Sequence, residues 1–345
     1  MDEPKPQPAT YGEPDSAGPQ PIESLTVAPP SPSWPLLRVI FLNPKGLRAG
    51  WRLVLFLVVA FAVLSGIARL SHLLGLRPSL GILGPLDTIE GETLLFVSVF
   101  AAAAFMGKVE RRSFADYALP LRGAFGRRFW EGVVWGLAAL SALVLVMWLG
   151  HGFGVNRILL GGREIFLFGG LWALAFLAVA FFEEFLMRGY ALFTLTTGIG
   201  FWLSAVALSF LFGAVHLGNS GESWVGGVSA GLIGLFFCLT VRRTGSLWFA
   251  IGFHAAWDYA ESFIYSVPDS GIMVPGHLMD SSFGGPRWLT GGHIGPEGSV
   301  FVFPLIGLLS LAFARLNKEA RFPGPWAPVS SAPAEASQDV DASNA

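Results

Sequence analysis

The chain has little charge and almost no cysteine. Charged residues make up 13% of its 345 residues, about half of the usual share, whereas hydrophobic residues make up 53%. A soluble domain of this length needs more polar surface around its core, so the composition excludes an ordinary cytosolic enzyme, a nucleic-acid binder and a disordered protein. The single cysteine, Cys238, excludes an internal disulfide and a cysteine-rich metal site.

The chain contains eight long apolar blocks. Each is close to the length of a membrane-spanning helix, about 20 residues. They cover residues 51–73, 94–106, 129–150, 165–196, 201–217, 224–240, 247–265 and 299–313. The sequence therefore predicts an all-α fold, a polytopic membrane helix bundle of about eight transmembrane helices in a lipid bilayer.

The regions outside these blocks differ sharply in composition. The first 35 residues are rich in proline and lack apolar periodicity, and the end of the chain is rich in Pro, Ala and Ser. Such segments bury too little apolar surface to fold, so both tails are predicted to be disordered. The predicted organisation is a Pro-rich cytoplasmic tail at 1–40, N-terminal transmembrane helices at 41–160, a catalytic core at 161–266, an external loop at 267–298, a final helix at 299–321 and a tail at 322–345.

Basic residues indicate the orientation in the membrane. With both termini in the cytoplasm, the cytoplasmic ends of the helices hold most of the cations: Lys45, Arg48, Arg52, Lys108, Arg111, Arg112, Arg122, Arg127, Arg128, Arg242, Arg243, Arg315, Lys318 and Arg321. The opposite side keeps Arg77, Arg157, Arg163 and Arg287. This asymmetry follows the positive-inside rule and predicts a multi-pass protein of the plasma (inner) membrane with both termini cytoplasmic.

Three ionisable residues interrupt the fourth apolar block. Glu184 and Arg188 are four residues apart, so they share a helix face and can form a structural ion pair. Glu183 lies about 100° around the helix and has no such partner, which leaves it free to act as a general base or acid. The alternative is that all three lie at the cytoplasmic end of a shorter span, where Arg188 reaches the lipid headgroups.

Two histidines fall on the following apolar helices. Glu183 precedes the turn at 197–200 by about as many residues as His216 follows it, so the two would lie at the same depth in an antiparallel pair. His254 and Asp258 are four apart on one helix face, where Asp258 can orient His254. Packing roles for His216, and for the His254–Asp258 pair, remain the alternatives.

The other polar candidates are predicted to lie at the surface. They are His72 and His151 at the ends of spans, and His277, His293 and Glu261 in or beside the external loop. Nothing in the sequence of that loop indicates a catalytic or binding role. Small residues in the sixth block, with Gly227 and Gly231 in one row, predict a helix-packing seam.

The site residues suggest a reaction. A free carboxylate and a facing histidine can remove a proton from water, and a second histidine beside an acid can stabilise an oxyanion. This suits peptide hydrolysis without a covalent intermediate. The chain contains no Gly-x-Ser-x-Gly elbow and no His-Glu-x-x-His motif. No cofactor is required, although a zinc ion bound by Glu183, His216 and His254 is an alternative.

In this order the three motifs resemble those of the CPBP family of intramembrane proteases, which includes type II CAAX prenyl endopeptidases and bacteriocin-immunity proteins. The family pattern Glu-Glu-x-x-x-Arg, Phe-x-x-x-His and His-x-x-x-Asn/Asp is matched by Glu183 to Arg188, Phe212 to His216, and His254 to Asp258. The resemblance covers about residues 165–265.

The resemblance implies roles for four of these residues. Glu183 and His216 would activate the water, and His254 and Asp258 would hold the oxyanion. The eukaryotic prenyl proteases carry Asn at the position of Asp258, and an ionised Asp cannot donate a hydrogen bond. Asp258 is therefore either protonated or orients His254.

The predicted function is that of an intramembrane endopeptidase acting near the cytoplasmic leaflet. Its partner would be a membrane protein or peptide substrate, with or without an attached lipid. Two alternatives remain: a proton-coupled membrane transporter that uses Glu183, His216 and His254 as a relay, and a non-catalytic immunity or scaffold membrane protein.

Overall fold

The computed structural model describes residues 40–44, 46–75, 84–219 and 221–322. The two predicted tails lie outside these ranges, apart from Ile40 and Phe322. Phe322 is 3% exposed, its ring centroid is 5.7 Å from that of Phe201, and its backbone bonds to Arg242. Ordered packing therefore continues to the first residue of the predicted C-terminal tail.

The described residues are mostly helical. In chain order the helices are α1 (Ala49–Leu73), α2 (Pro85–Glu110), α3 (Arg127–Leu149), α4 (Arg163–Glu184), α5 (Leu192–Ile199), α6 (Phe201–His216), α7 (Trp224–Thr244), α8 (Trp248–Asp258), α9 (Arg287–Thr290) and α10 (Val302–Leu316). The predicted all-α membrane bundle is confirmed.

Within the part of the chain that the structure describes, five helical stretches are long and apolar enough to cross a bilayer. They are Ala49–Leu73, Pro85–Glu110, Arg127–Leu149, Arg163–Ile199 and Trp224–Thr244. Two shorter apolar helices are Phe201–His216 and Val302–Leu316. Each predicted apolar block thus corresponds to a helix, but not every one of these helices is long enough to span the membrane by itself.

Two segments of π-helix continue the helices that carry the motifs. Phe185–Ala191 joins α4 to α5, with a non-helical kink at Gly189, and Tyr259–Ile264 continues α8. Short π segments inside α-helices occur frequently at functional sites. Here they begin directly after Glu184 and Asp258.

Helices α3 and α8 touch backbone to backbone. A Cβ atom placed on Gly132 or Gly136 would lie 2.1 Å from the Phe249 carbonyl oxygen or 2.3 Å from that of Phe253. In return, a Cβ on Gly252 would lie 2.2 Å from the Phe129 carbonyl oxygen. Only glycine permits this approach, which fixes α8 against α3.

The seam predicted for the sixth apolar block is present, and its partner in the structure is α6. A Cβ on Gly213 of α6 would lie 2.2 Å from the carbonyl oxygen of Gly227 in α7. One turn further along α7, a Cβ on Gly231 would lie 3.2 Å from the Ser209 carbonyl oxygen. The small residues therefore bring α6 and α7 into close contact.

A short antiparallel pair of strands anchors the long loop before α10. Strand β3 (Phe153–Ile158) pairs antiparallel with β4 (Met279–Phe283), with Phe153 opposite Phe283 and Ile158 opposite Met279. A second, two-residue pairing joins β1 (Leu42–Asn43) to β2 (Gly46–Leu47). The loop is thus fixed to the connection between α3 and α4.

A polar network ties the first helices to the π segment after α4. The Arg52 Nε donates to Glu110 Oε1 at 2.9 Å, and the Tyr190 hydroxyl donates to the same oxygen at 2.6 Å. Arg52 also donates to the Thr197 hydroxyl at 3.1 Å. The charges of α1 and α2 therefore compensate each other at this end of the bundle.

Candidate active site

A cavity of about 240 Å³ brings the sequence-predicted site residues together. Such a volume holds several water molecules. The polar residues of its lining are Thr88, Glu92, Glu183, His216, Asn219, His254, Asp258, Ser262, Asp269, Ser270 and Glu297. The four residues predicted to be catalytic, Glu183, His216, His254 and Asp258, all lie on this one surface.

Glu184 links two of the predicted motifs. Its side chain is 0% exposed, and its Oε1 lies 3.1 Å from Arg188 Nη1 and 3.0 Å from His254 Nδ1. The ion pair expected with Arg188 is present. The contact with His254 was not predicted, because it joins residues seventy positions apart.

Arg188 is held by charge and by aromatic rings. It is 1% exposed, and its guanidinium carbon lies 4.1 Å from the centroid of the Phe212 ring and 5.7 Å from that of Phe237. A buried charge is tolerated when it is paired, and cation–π contacts add to the pairing. Arg188 therefore compensates Glu184 in the interior of the bundle.

His254 stands between three carboxylates. Its Nδ1 faces Glu184, while its Nε2 lies 3.5 Å from Asp258 Oδ2 and 3.8 Å from Glu183 Oε2. A carboxylate accepts hydrogen bonds, so the contact with an ionised Glu184 requires a proton on Nδ1. Glu184 thus fixes the ring so that Nε2 points toward Glu183 and Asp258.

Glu183 keeps a free carboxylate oxygen. Its side chain is 26% exposed, the largest exposure among these acids and histidines at the centre of the site, and its Oε2 has no hydrogen-bond partner. Glu184 Oε2 likewise makes no hydrogen bond, but Glu184 differs in being fully buried and in having two partners at its Oε1. Helix periodicity in the sequence had already distinguished Glu183 from Glu184, because only Glu184 shares a helix face with Arg188.

His216 presents one nitrogen to the cavity. Its Nδ1 lies 2.8 Å from the Phe212 carbonyl oxygen, which can only accept a hydrogen bond, so Nδ1 carries the proton. In the neutral ring Nε2 is then an acceptor. Among the described residues, no direct hydrogen bond or ion pair joins His216 to Glu183, although both line the cavity.

The zinc set considered from the sequence does not fit this arrangement. Zinc holds its ligand atoms at about 2.0–2.2 Å, so any two lie within about 4.4 Å of each other. Within the described ranges, the group of three potential ligands that lie within 4.8 Å of one another is Glu261, Asp269 and Glu297. Glu183, His216 and His254 do not form such a group, so no step below uses a metal.

Sequence reasoning missed several acids of the cavity. Glu92 of α2 lines it, with an Oε2 that has no hydrogen-bond partner, and Asp269 and Glu297 reach it from the loop before α10. The signal for Glu92 was its position near the start of an apolar block. The expectation that nothing in the loop indicates chemistry was wrong, because only the folded loop brings Asp269 and Glu297 to the cavity.

The surface location expected for Glu261 was also wrong. Its side chain is 0% exposed because the π-helical turn Tyr259–Ile264 packs under the loop. The other candidates assigned to the surface differ from Glu261: His72, His151 and His293 are exposed, and His277 is half-buried.

Burial and neighbouring charges alter the loop acid Asp269. Burial raises the pKa of its carboxyl well above the ordinary value, and the negative charges of Asp258 and Glu297 raise the pKa further. The Ser262 hydroxyl donates to its Oδ2 at 3.0 Å and acts in the opposite direction. The mouth of the cavity is therefore a concentration of acidic groups.

The comparison with protein families agrees with the motifs. The family model described as Rce1-like, Type II CAAX prenyl endopeptidase Rce1-like, matches residues 165–260, the stretch that carries all three motifs. The resemblance to this protease family is thereby confirmed over that part of the chain. No curated protein and no solved structure matches.

At the level of the family the match supports a peptidase. The apolar helices and this family together indicate a multi-pass membrane protein.

Proposed function

We propose that the protein is an intramembrane endopeptidase that hydrolyses a peptide bond with water activated by Glu183 and His216. The observation that carries the proposal is the convergence of Glu183, His216, His254 and Asp258 on one cavity that is large enough to hold several water molecules. The family match over residues 165–260 supports the same reaction class.

Glu183 is the general base in this proposal. Its side chain lines the cavity, its Oε2 accepts no hydrogen bond and lies 3.8 Å from His254 Nε2, and His216 Nε2 offers a second acceptor to the same water molecule. Attack of the water oxygen on the carbonyl carbon transfers one water proton to Glu183. The protonated Glu183 then returns that proton to the leaving amine as the carbon–nitrogen bond breaks, which yields one carboxylic acid and one amine.

His254 stabilises the oxyanion. Its Nδ1 proton is directed at Glu184, so donation from Nε2 requires the doubly protonated imidazolium. Three carboxylates around the ring supply the compensating negative charge. Asp258, 3.5 Å from Nε2, then orients the ring, and this role does not need the hydrogen-bond donor that Asn would offer.

The substrate is proposed to be a membrane protein or peptide with an apolar residue at the cleavage site. A second pocket adjoins the catalytic cavity and shares His216, His254 and Asp258 with it. Its remaining lining is mostly apolar: Phe212, Ala230, Ile233, Phe237, Phe253, Trp257, Val302 and Ile306. Such a lining suits an apolar side chain or part of an attached lipid.

The proposal is tested with the full chain reconstituted in liposomes. Fluorogenic peptides with a farnesylated C-terminal cysteine, the same peptides without the lipid, and an unlipidated transmembrane peptide form the substrate panel. Glu183→Gln is expected to slow cleavage at least about 100-fold, the usual contribution of a general base. Glu164→Gln, an exposed change on the same helix, serves as the matched control.

Two results would contradict the proposal. One is full hydrolytic activity in Glu183→Gln. The other is proton flux across the liposome membrane that depends on Glu183 and occurs without cleavage of any peptide, which would favour the transporter. A zinc-selective chelator added to the active wild-type protein is expected to leave cleavage unchanged, because the proposed step uses no zinc.

A further inference from the structure

Three carboxylates come together beside the cavity, and two of them, Asp269 and Glu297, also line it. Glu261 comes from the π segment after α8, and Asp269 and Glu297 come from the loop before α10. One oxygen from each lies within 4.8 Å of the other two. None of the three belongs to the motifs that match the protease family.

Glu261 supplies a second, independent observation. It is 0% exposed, and neither of its carboxylate oxygens has a hydrogen-bond partner. The indole Nε1 of Trp257, one turn earlier, is the nearest donor to Glu261, but it makes no well-formed hydrogen bond with either oxygen. A buried carboxylate without partners is costly and calls for a compensating cation or a proton.

Hydroxyl groups orient the two loop carboxylates. The Ser262 hydroxyl donates to Asp269 Oδ2 at 3.0 Å, and the Ser270 hydroxyl donates to Glu297 Oε2 at 2.7 Å. Such contacts are typical of the groups around a metal site that fix its ligands. Each loop carboxylate retains further lone pairs, whereas both oxygens of Glu261 remain unused.

The backbone is shaped to bring the loop close to Glu261. Gly295 has a φ of +106°, and a Cβ there would lie 1.9 Å from the Pro268 carbonyl oxygen and 3.2 Å from Glu261 Oε1. A glycine is required for this turn because other residues rarely adopt that φ and have no space for a side chain. The chain therefore closes around the carboxylates of Glu261 and Asp269.

The ligand type and the coordination habits of the two ions favour calcium. An all-oxygen site suits hard divalent cations. Ca²⁺ accepts irregular arrangements of six to eight oxygen ligands, including bidentate carboxylates, so three carboxylates from two segments can bind it. Mg²⁺ requires near-ideal octahedral geometry and usually keeps several of its water molecules.

We propose that Glu261, Asp269 and Glu297 bind one calcium ion, which fastens the loop 266–298 to the end of the helix that carries His254 and Asp258. The ion would compensate the unpaired Glu261 and join two segments distant in the sequence. This proposal does not depend on the peptidase reaction.

The full chain is purified in detergent, stripped with EDTA and titrated with Ca²⁺ or Mg²⁺. Wild-type protein is expected to bind one Ca²⁺ per chain, with a rise in the thermal unfolding temperature and at least tenfold weaker binding of Mg²⁺. Glu261→Gln is expected to weaken Ca²⁺ binding at least tenfold and to abolish the thermal shift. Glu319→Gln, an exposed change in the pair with Arg321, is the matched control.

Further variants keep the test decisive. If Glu261→Gln does not fold, Asp269→Asn and Glu297→Gln are expected to give the same loss of Ca²⁺ binding. Glu183→Gln should bind Ca²⁺ as tightly as wild type, since Glu183 is not a ligand of this site. The proposal is overturned if wild-type protein binds no Ca²⁺, if the cluster variants bind it normally, or if Glu183→Gln abolishes the binding.

Discussion

Arg188 carries a positive charge in the interior of the bundle because Gly234 leaves room for it. A Cβ on Gly234 would lie 2.3 Å from Arg188 Nη2. Gly234 belongs to the sixth apolar block, whose small residues were predicted to form a helix-packing seam. In the structure its missing side chain accommodates the cation that compensates Glu184, which in turn orients His254.

Gly234→Ala is expected to displace the Arg188 guanidinium and to weaken its pair with Glu184. Breaking a buried pair by removing one partner costs about 3–5 kcal/mol, and a displacement should cost at least about 1 kcal/mol. The unfolding temperature in detergent should fall by at least about 2–4 °C. Gly170→Ala on α4, where a Cβ meets no atom within 4 Å, is the control. Equal stability of the two variants would contradict the role given to Gly234.

The residues of the motifs could be identified from the sequence, whereas the contact between Glu184 and His254 could not. Local helix geometry separates Glu183 from Glu184, because only Glu184 shares a face with Arg188. The contact between Glu184 and His254 depends on how α4 packs on α8. No local rule contains that packing, so Asp258 was the only acid that the sequence associated with His254.

At the scale of whole elements, glycines at the crossing of α3 and α8 set the position of His254, the histidine that we propose stabilises the oxyanion. Gly132 and Gly136 are spaced like a Gly-x-x-x-Gly motif and contact the backbone of Phe249 and Phe253, the latter next to His254. The spacing was visible in the third apolar block. Its importance comes from the helix that it contacts, which the sequence does not specify.

Gly136→Ala is expected to force α3 and α8 apart. The new methyl group would lie 2.3 Å from the Phe253 carbonyl oxygen, a backbone atom that cannot rotate away. Overpacking of this kind costs about 1–3 kcal/mol, and any shift of α8 also moves His254 relative to Glu183. The measurements are thermal unfolding and cleavage rate, both compared with Gly66→Ala, where a Cβ meets no atom within 4 Å. An unchanged Gly136→Ala protein would show that the crossing tolerates a side chain.

Apolar runs predict where the elements are, but not how irregular segments bend. The spans could be predicted because lipid requires long uninterrupted apolar helices. The π turns after Glu184 and Asp258, and the path of the loop before α10, follow from packing between distant segments. Three cavity residues outside the motifs, Glu92, Asp269 and Glu297, were missed for the same reason.

At the scale of the whole molecule, the cavity and the main basic cluster lie toward opposite ends of α8. The basic cleft is lined by Arg128, Arg243, Arg315, Lys318 and Arg321. Helix α8 begins near that end and carries Asp258 about 15 Å further along, at 1.5 Å per residue. The positive-inside rule then orients the cavity toward the external side. Two expectations from the sequence are therefore incompatible: that both termini are cytoplasmic, and that catalysis takes place near the cytoplasmic leaflet. We keep the expectation that both termini are cytoplasmic.

This orientation predicts a labelling pattern. Cys238 is 0% exposed, so an introduced cysteine will be the only reactive one. Ser282→Cys, at an exposed position of the loop, should react with a membrane-impermeant maleimide in intact cells. Ala320→Cys, at an exposed position after α10, should react only after the cells are permeabilised. The reverse labelling pattern would show that the cavity faces the cytoplasm and would contradict the proposed orientation.

The central claim is that Glu183 and His254 act in one chemical step, and the cleavage rate of the double variant tests it most directly. The values of kcat are compared for wild type, Glu183→Gln, His254→Gln and the double variant in liposomes. Residues that act as one unit lose activity non-additively. The double variant is therefore predicted to be about as slow as the slower single variant. Losses that multiply in the double variant, or a single variant with wild-type kcat, would contradict the account.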